Sequence, residues 1–349
     1  MAIQGAFTLT ANEIYNTLAN MIISQEVFAD NIGSHQTLVD KARVDGGLYG
    51  DTKLYYATDV LKSHDWLNDA EAANLLALDR PKQPEVQAIK LDVFRQIRLT
   101  LDNYLTKRAF ANEGAFGQFN SVMLGWMNET KKIYDGTLYN VFIGTTKAAG
   151  AKQSIEFDLD GLDAEGRAKE IARQIADLLV VMSDYSRDFN DYGMLRSYGK
   201  DGIKFIWNSN YVNEIRKIDL PTIFHKDGLV DKFDEDILPS RYFGDVITSA
   251  HTSVAGERSV IEKDYGNVHV FPGDEIPVGS SVAANEAYTE DPKVICKVLV
   301  KLPPFMSAFQ VGTTFFNPRS LTENHYLTFG HNTLAYLKNY PFITINEKE

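Results

Sequence analysis

The stretch FIWNSNYVNEIRKI (Phe205–Ile218) joins an apolar run to a pattern of helical spacing. Ile203–Trp207 predicts a buried strand, because a short apolar run that ends at a turn is typical of strands in a core. The residues that follow place apolar side chains on one helical face, at Tyr211, Ile215 and Ile218. The junction itself is polar and consists of Asn208, Ser209 and Asn210. A strand, a sharp polar turn and a helix either present a catalytic nucleophile or only change the direction of the chain.

The composition of this junction favours a change of direction. Ser209 lacks the flanking glycines of the G-x-S-x-G motif, which give a nucleophile its strained turn. Asn208, Ser209 and Asn210 are therefore candidate helix caps, since their side chains accept hydrogen bonds from the free N–H groups at a helix start. The alternative is an α+β hydrolase that uses Ser209 or His225. In that case Ser209→Ala would abolish an activity and leave the assembly state unchanged.

The charge of the chain limits its partners. The chain has 349 residues and a formal net charge of −12. Such a balance argues against a surface built mainly to bind nucleic acid, because that surface needs a basic face. Basic residues do occur in groups, at Arg95, Arg98, Lys107, Arg108, Lys131 and Lys132. They form either a local phosphate-facing surface or, as the overall acidity favours, a balance for the many carboxylates.

Several kinds of site have no sequence motif here. Cys296 is the only cysteine, so an intramolecular disulfide or a CxxC metal site is excluded. The sequence contains no HExxH, GxxxxGK[ST] or GxGxxG motif, and we predict no metal site, no cofactor and no catalytic residue. His325 and His331 fit a strand-rich region as partly buried aromatic residues. No run of about 18 apolar residues occurs, so no segment is expected to cross a membrane.

Two alternating segments predict a long hairpin. Asp51–Leu61 has strand propensity, and Val86–Leu105 alternates apolar with charged residues. A period of two is the pattern of a β-strand. We expect both faces of this hairpin to be wettable. We also expect it to lie on something else, such as a neighbouring subunit, because a small hairpin alone is marginally stable.

Helical periodicity predicts the remaining large elements. Gly114–Phe142 carries apolar residues at intervals of three and four, and a helix of this length would be on the order of 40 Å long. Asp163 is the predicted N-cap of a helix over Ala164–Asp184. Further helices are predicted over Ala11–Phe28 and Asp69–Leu78. Because the elements do not alternate as βα units, the fold class is α+β.

The order of these elements resembles that of the major capsid proteins of tailed bacteriophages, whose fold is named after the Hong Kong 97 phage. Asp51–Leu105 resembles their extended loop (E-loop), and Gly114–Phe142 resembles their spine helix. GIKFIWNSNYVNEIRKI (Gly202–Ile218) resembles the corner of the axial domain, and FFNPRSLTENHYLTFGHNTLAYLKNYPFITI (Phe315–Ile345) resembles the closing segments. The resemblance covers nearly the whole chain and rests on the order of elements rather than on a short motif. It is nearest to smaller phages of the podovirus kind.

The resemblance implies a Hong Kong 97-type capsid fold with four parts. These are an N-terminal arm over residues 1–45, an extended loop hairpin over 46–90, a peripheral domain with the spine helix over 91–149 and 286–335, and an axial domain over 150–285 and 336–349. Tyr55, Tyr56 and Trp66 lie in the loop and are candidate inter-subunit contacts, because large amphipathic rings dominate protein interfaces. The alternative is that these rings pack within their own chain.

The implied function is that of a structural, non-enzymatic major capsid protein, which self-assembles into the icosahedral head around the phage genome. The implied partners are the protein itself, as hexamers and pentamers, a scaffolding protein, a portal and a decoration protein. Double-stranded DNA would be packaged without sequence-specific binding, and no membrane partner is expected. The expected location is the virion, after assembly in the host cytoplasm. Two alternatives stay open: the hydrolase above, and an encapsulin-like nanocompartment shell, which a bound cargo peptide would distinguish from a virus.

Overall fold

The computed structural model of the chain describes residues 37–46, 52–63, 78, 80–102, 113–148, 150–212, 234–246, 251–252, 258–259, 264–265, 268–269, 281–282, 287–291 and 293–348. The helix predicted over Ala11–Phe28 lies outside these residues, as does the one predicted over Asp69–Leu78 except for its last residue. No helix in the described part of the chain is both long enough and apolar enough to cross a membrane.

The described elements follow one another in this chain order: α1 (Thr37–Ala42), β1 (Arg43–Asp45), β2 (Thr52–Ala57), β3 (Glu85–Asp102), α2 (Glu113–Thr145), β4 (Ser154–Phe157), α3 (Ala164–Ser183), β5 (Lys204–Asn208), β6 (Asp234–Leu238), β7 (Gly244–Val246), β8 (His251–Thr252), β9 (Arg258–Ser259), β10 (Asp264–Tyr265), β11 (Val268–His269), β12 (Ser281–Val282), β13 (Ala287–Glu290), β14 (Val294–Leu299), β15 (Phe305–Asn317), β16 (Thr322–Asn332) and β17 (Phe342–Glu347). Short 3-10 helices lie at Ala151–Gln153, Lys200–Gly202 and Ser240–Tyr242. The long strand and the long helix predicted from periodicity are confirmed as β3 and α2.

The chain divides into two units, each built from three segments. Unit 1 comprises Met1–Asp51, Leu91–Gly136 and Phe305–Thr333, and unit 2 comprises Thr52–Lys90, Thr137–Pro304 and Leu334–Glu349. Strand β3 and helix α2 each contribute residues to both units. The domain boundaries inferred from the resemblance stay a prediction.

Unit 1 contains a sheet with the strand order β1-β15-β16-β3. Strand β16 pairs antiparallel with β15 on one side and with β3 on the other, while β1 pairs in parallel with the first residues of β15. One face of this sheet packs against α2 through a cluster of apolar side chains: Met127, Leu327, Phe329, Ile97, Leu99 and Tyr134. His325 and His331 lie on β16 and are buried, which fits their predicted role as buried aromatic residues. His331 Nε2 lies 3.0 Å from the Tyr134 hydroxyl, and His331 Nδ1 lies 2.9 Å from the Asn332 carbonyl oxygen.

A buried ion pair lies beside this core in unit 1. Lys131 Nζ is 2.8 Å from Asp135 Oδ2, one helical turn further along α2. The side chains of Lys131 and Asp135 are 8% and 1% exposed. Lys131 also donates to Ser307 Oγ at 3.0 Å, and Arg43 reaches the same Asp135 oxygen at 3.4 Å. A carboxylate this deeply buried therefore depends on two cations for its stability.

Unit 2 is organised around a second sheet with the strand order β4-β17-β14-β5-β6. All six residues of β14 are buried, as expected of a central strand that is covered on both faces. Helix α3 contributes its apolar stripe to the core, with Ile171, Ile175, Leu178, Leu179 and Met182. Asp163 caps this helix: its side chain accepts a hydrogen bond from the Gly166 N–H at 2.8 Å, which confirms the predicted N-cap.

The end of helix α2 lies unusually close to the backbone of Tyr242 in unit 2. A Cβ atom built on Gly144 would lie 1.8 Å from the Tyr242 carbonyl oxygen and 2.5 Å from its carbon. Glycine is required at this position because the neighbouring atoms belong to the backbone and have no rotamer with which to move away.

The corner that follows β5 is attached to the rest of unit 2 by one carboxylate. Glu347, at the end of β17, accepts two hydrogen bonds of 2.9 Å from the Arg167 guanidinium of α3. The Tyr211 hydroxyl, just past the corner, donates to the same carboxylate at 2.6 Å. Burial alone would raise the pKa of Glu347, but the hydrogen bonds from Tyr211 and Arg167, together with the charges of Arg167 and Lys293, lower it. The ionised carboxylate therefore stabilises the folded state.

We expect Glu347→Gln to lower the free energy of unfolding at neutral pH by about 1.5–3 kcal/mol, the range for hydrogen bonds to charged groups. A lowered folded-state pKa gives stability that is present above the unfolded value and is lost as the pH falls through the folded value. The unfolding curves of the wild type and the variant should therefore converge below the ordinary glutamate pKa of about 4.3. Chemical denaturation between pH 7 and pH 3 measures this dependence.

Glu156→Gln, at an exposed position on β4, is the matched control and should have little effect on the free energy of unfolding at any pH. A difference for Glu347→Gln that does not change with pH would contradict the explanation.

Candidate interaction surface

Strand β2 and the start of β3 form a hairpin in unit 2 with two unlike faces. The pairs Thr52↔Lys90, Leu54↔Ala88 and Tyr56↔Val86 lie directly opposite each other across the two strands. Because side chains alternate along a strand, these pairs share one face, and Tyr55, Gln87 and Ile89 belong to the other. The two faces can therefore be compared residue by residue.

The face that carries Tyr55 packs within unit 2. Lys301 Nζ lies 5.2 Å from the centre of the Tyr55 ring, within the range of a cation–π contact. Gln87 donates to the Tyr336 carbonyl oxygen and accepts from the Lys338 N–H, both at 2.9 Å. Ala57 and Ile89 are buried. The prediction that both faces of the hairpin are wettable was therefore wrong for this face, because its side chains find partners far away in the sequence.

A carboxylate fixes the chain where it leaves β2. Asp59 accepts hydrogen bonds from Arg187 Nη1 at 2.6 Å, from the Leu195 N–H at 3.2 Å and from the Val60 N–H at 2.9 Å. The hydrogen bond from Arg187, followed by those from the Leu195 and Val60 backbone, holds the pKa of Asp59 well below its usual range. The segment that leaves β2 toward the connecting loop is therefore attached to its own unit by an ionised side chain.

The other face of the hairpin is exposed, and it is apolar at the pairs Leu54↔Ala88 and Tyr56↔Val86. Leu54, Tyr56 and Val86 keep between 48% and 62% of their surface exposed, although they lie side by side on paired strands. The same part of the chain contains three further exposed apolar residues: Val60, Leu61 and Leu78. Adjacent exposed apolar side chains of this kind are typical of a protein–protein interaction site. This face, defined by Leu54, Tyr56, Val86 and Ala88, is called the open face below.

The three predicted contact residues are placed differently by the structure. Tyr56 lies on the open face, whereas Tyr55 lies on the packed face, and Trp66 lies outside the described residues. Sequence reasoning missed Leu54 and Val86. The period-two alternation could have identified them, because Leu54 is two residues from Tyr56, and Val86 begins the pattern of the second strand.

The corner residues are arranged as a helix start. Asn208, the last residue of β5, is fully buried; its Oδ1 accepts from the Asn210 N–H at 3.1 Å and its Nδ2 donates to the Val294 carbonyl oxygen at 2.9 Å. A helix begins at Ser209, and this side-chain bond to a backbone N–H two residues on is the kind an N-cap makes. His225, the other residue of the hydrolase alternative, lies outside the described residues.

Among the basic residues that the structure describes, Arg95, Arg98 and Lys131 do not combine into one phosphate-facing surface. Arg95 and Arg98 are three residues apart on β3, so they point to opposite faces of the strand. Lys131 is paired with Asp135, and Lys107 and Arg108 lie outside the described residues. Within the described part of the chain, no group of three or more His, Cys, Asp or Glu side chains could hold a metal ion.

Comparisons with proteins of known structure identify the fold. No family model matches the sequence, and no curated protein matches it. The structure is similar to a chain in the capsid of Staphylococcus phage Andhra, with a TM-score of 0.59 and 10% sequence identity, over 99% of this chain and 89% of that one. It is also similar to a chain in the structure of the head fiber and inner core protein gp22 of native bacteriophage P68, with a TM-score of 0.61 and 11% identity, over 88% and 84% of the two chains. The chain therefore has the phage capsid fold of the Hong Kong 97 type, as the order of its elements predicts.

Proposed function

We propose that this chain is the major capsid protein of a tailed phage and self-assembles into the icosahedral head that encloses the genome. The observation that carries the proposal is the combination of a capsid fold over 99% of the chain with an exposed apolar face on its extended hairpin. A shell subunit needs such a face, because each copy must bury apolar surface against its neighbours. The role is structural rather than enzymatic.

The open face can supply useful energy because assembly repeats it in every copy. Burying a large apolar side chain completely contributes about 1.5–3 kcal/mol, so the exposed halves of Leu54, Tyr56 and Val86 contribute on the order of 1 kcal/mol each. The packed face and the Asp59 contacts hold the hairpin in place before assembly. Less conformational entropy is then lost when the open face is covered.

The proposal extends to partners and location. The copies would form hexamers and pentamers, with a scaffolding protein, a portal and a decoration protein as further partners, and a phage of the podovirus kind as the source. Packaged double-stranded DNA would be enclosed without sequence-specific binding, which is consistent with the net charge of −12 and with the opposite orientations of Arg95 and Arg98. Assembly would take place in the host cytoplasm, and the protein would end in the virion.

Electron microscopy and sedimentation of the expressed chain, with and without a candidate scaffold protein, test this proposal. We expect closed shells or sheets of hexamer-like rings. A chain that stays a monomer or a dimer under all conditions would contradict it and would direct attention to substrate screening around Ser209.

Tyr56→Asp is expected to weaken assembly at least about tenfold, measured as the protein concentration at which half of the chains sediment as particles. The variant loses the buried ring and places a charge in the contact, and a loss of about 1.4 kcal/mol already corresponds to a factor of ten. Tyr185→Asp is the matched control, because Tyr185 is 74% exposed in the same unit and lies outside the hairpin. Unchanged thermal unfolding of both variants would show that the subunit fold is intact. If Tyr56→Asp and Tyr185→Asp both assemble like the wild type, the open face is excluded as a contact.

A further inference from the structure

Within the described residues, the outer edge of β15 in unit 1 has no partner strand along most of its length. Strand β1 pairs only with Phe305–Ser307, at the beginning of β15. The register against β16 shifts between Ala308 and Val311, and the seven residues Val311–Asn317 then pair regularly with β16. Among the described residues, no strand pairs with the other edge of Val311–Asn317. Such an edge presents N–H and C=O groups that a further strand can bind.

This edge lacks the features by which proteins normally prevent strand addition. Phe305–Asn317 contains no charged residue and no proline. The two edge strands of the unit 2 sheet differ in this respect. Strand β6 contains Asp234, Glu235 and Asp236, and β4 contains Glu156. Charged side chains on an edge strand oppose pairing with another chain. Both edge strands of the unit 2 sheet carry such charges, and β15 does not.

Apolar side chains flank the open edge on both faces of the sheet. Phe315 and Phe316 are 59% and 47% exposed, and as neighbours in a strand they point to opposite faces. An incoming strand would therefore contact one aromatic ring above and one below, in addition to the backbone groups of the edge. Backbone hydrogen bonds combined with contacts to alternate side chains are the basis of recognition by β-strand addition.

We infer that the open edge at Val311–Asn317 binds an extended segment of a second copy of this chain, which adds a strand to the unit 1 sheet. Copies that each carry a net charge of −12 repel one another, and an uncharged strand is a place where two of them can approach closely. The inference rests on the proposed function, because it assumes that copies of the chain assemble.

Hydrogen–deuterium exchange on the full chain tests this inference, with the peptide that covers residues 311–317 compared between assembled particles and unassembled subunits. In an antiparallel pair, alternate residues direct their N–H groups to opposite sides, so about half of the amides in this peptide face the open edge. We expect these amides to exchange at least about tenfold more slowly in particles. Particles in which the peptide exchanges as fast as in the subunit would overturn the inference and leave the proposed function standing. A chain that forms no particles would overturn the proposed function and the inference with it.

A pair of variants at Thr313 gives a second measurement. Thr313 is exposed, and Thr314 is left unchanged because its hydroxyl lies 3.1 Å from His325 Nδ1. Thr313→Lys puts a charge on the edge, and we expect at least about tenfold weaker assembly with unchanged thermal unfolding of the subunit. Thr313→Val keeps the edge neutral and suited to a strand, and it should assemble like the wild type. Assembly of Thr313→Lys as strong as that of Thr313→Val would overturn the inference.

Discussion

Gly144→Ala is expected to lower the stability of unit 2 by about 3 kcal/mol or more, at the upper end of the range for overpacked sites. The added methyl group would lie 1.8 Å from the Tyr242 carbonyl oxygen and 3.2 Å from the Phe243 nitrogen. Real Cβ contacts of 1.8 Å do not occur, and the atoms that would have to move belong to the backbone. The end of α2 and the segment that holds Tyr242 must therefore shift apart. Thermal unfolding should show a lower midpoint, by about 2–4 °C for each kcal/mol in a unit of this size.

Gly125→Ala is the matched control, because it makes the same change in the same helix. A Cβ atom at Gly125 would meet no atom within 4 Å. Alanine is a better helix former than glycine by roughly 0.5–1 kcal/mol, so this variant should be slightly more stable than the wild type. The two substitutions should thus have opposite signs. Equal loss of stability in both would show that the close approach at Tyr242 is not the cause.

Asp135→Ala is expected to destabilise unit 1 by about 3–5 kcal/mol, the usual cost of removing one partner from a buried ion pair. Lys131 would then keep a charge in a site where only 8% of its side chain is exposed. Its remaining contacts, with Ser307 Oγ and the face of the Phe329 ring, do not neutralise that charge. Arg43 is less affected, because 35% of its side chain is exposed and it also pairs with Asp40. Chemical denaturation of the full chain, with a spectroscopic probe in unit 1, measures the loss.

The double variant Lys131→Met, Asp135→Leu separates this explanation from simple loss of packing. Replacing both charges by apolar side chains of similar size is often neutral or even stabilising, because the cost of burying the charges disappears with them. The double variant should therefore recover most of the stability that Asp135→Ala loses. A double variant as unstable as the single one would show that the shape of these side chains, and not their charge, holds the site together.

The elements with a strong local pattern were predictable from the sequence. The alternation in Val86–Leu105 identified the strand found at Glu85–Asp102 (β3), and intervals of three and four identified α2. Asp163 was identified as an N-cap by its residue type and its position before an apolar stripe. In each case the determining interactions lie within a few residues of one another. The order of such elements was also enough to predict the fold.

Contacts between distant segments could not be predicted in the same way. The spacing of Lys131 and Asp135 is that of any surface ion pair on a helix, and only packing in unit 1 reveals that the pair is buried. Tyr55 and Tyr56 look equivalent in the sequence, yet Tyr55 is partly buried and contacts Lys301, which is 246 residues away, while Tyr56 stays exposed. The open edge of β15 depends equally on where β1 stops pairing with it.

The interleaved segments of the two units determine when a newly made chain can fold. Unit 1 needs residues as late as Thr333, and the unit 2 sheet needs β17, which lies between β4 and β14. At about 5–20 residues per second, the ribosome takes roughly 17 to 70 s to reach the end of β17. A chain that has been made only to a residue before Thr333 therefore lacks the last segment of both units. The order of the segments thus makes folding of both units wait for synthesis of their last strands, β16 and β17.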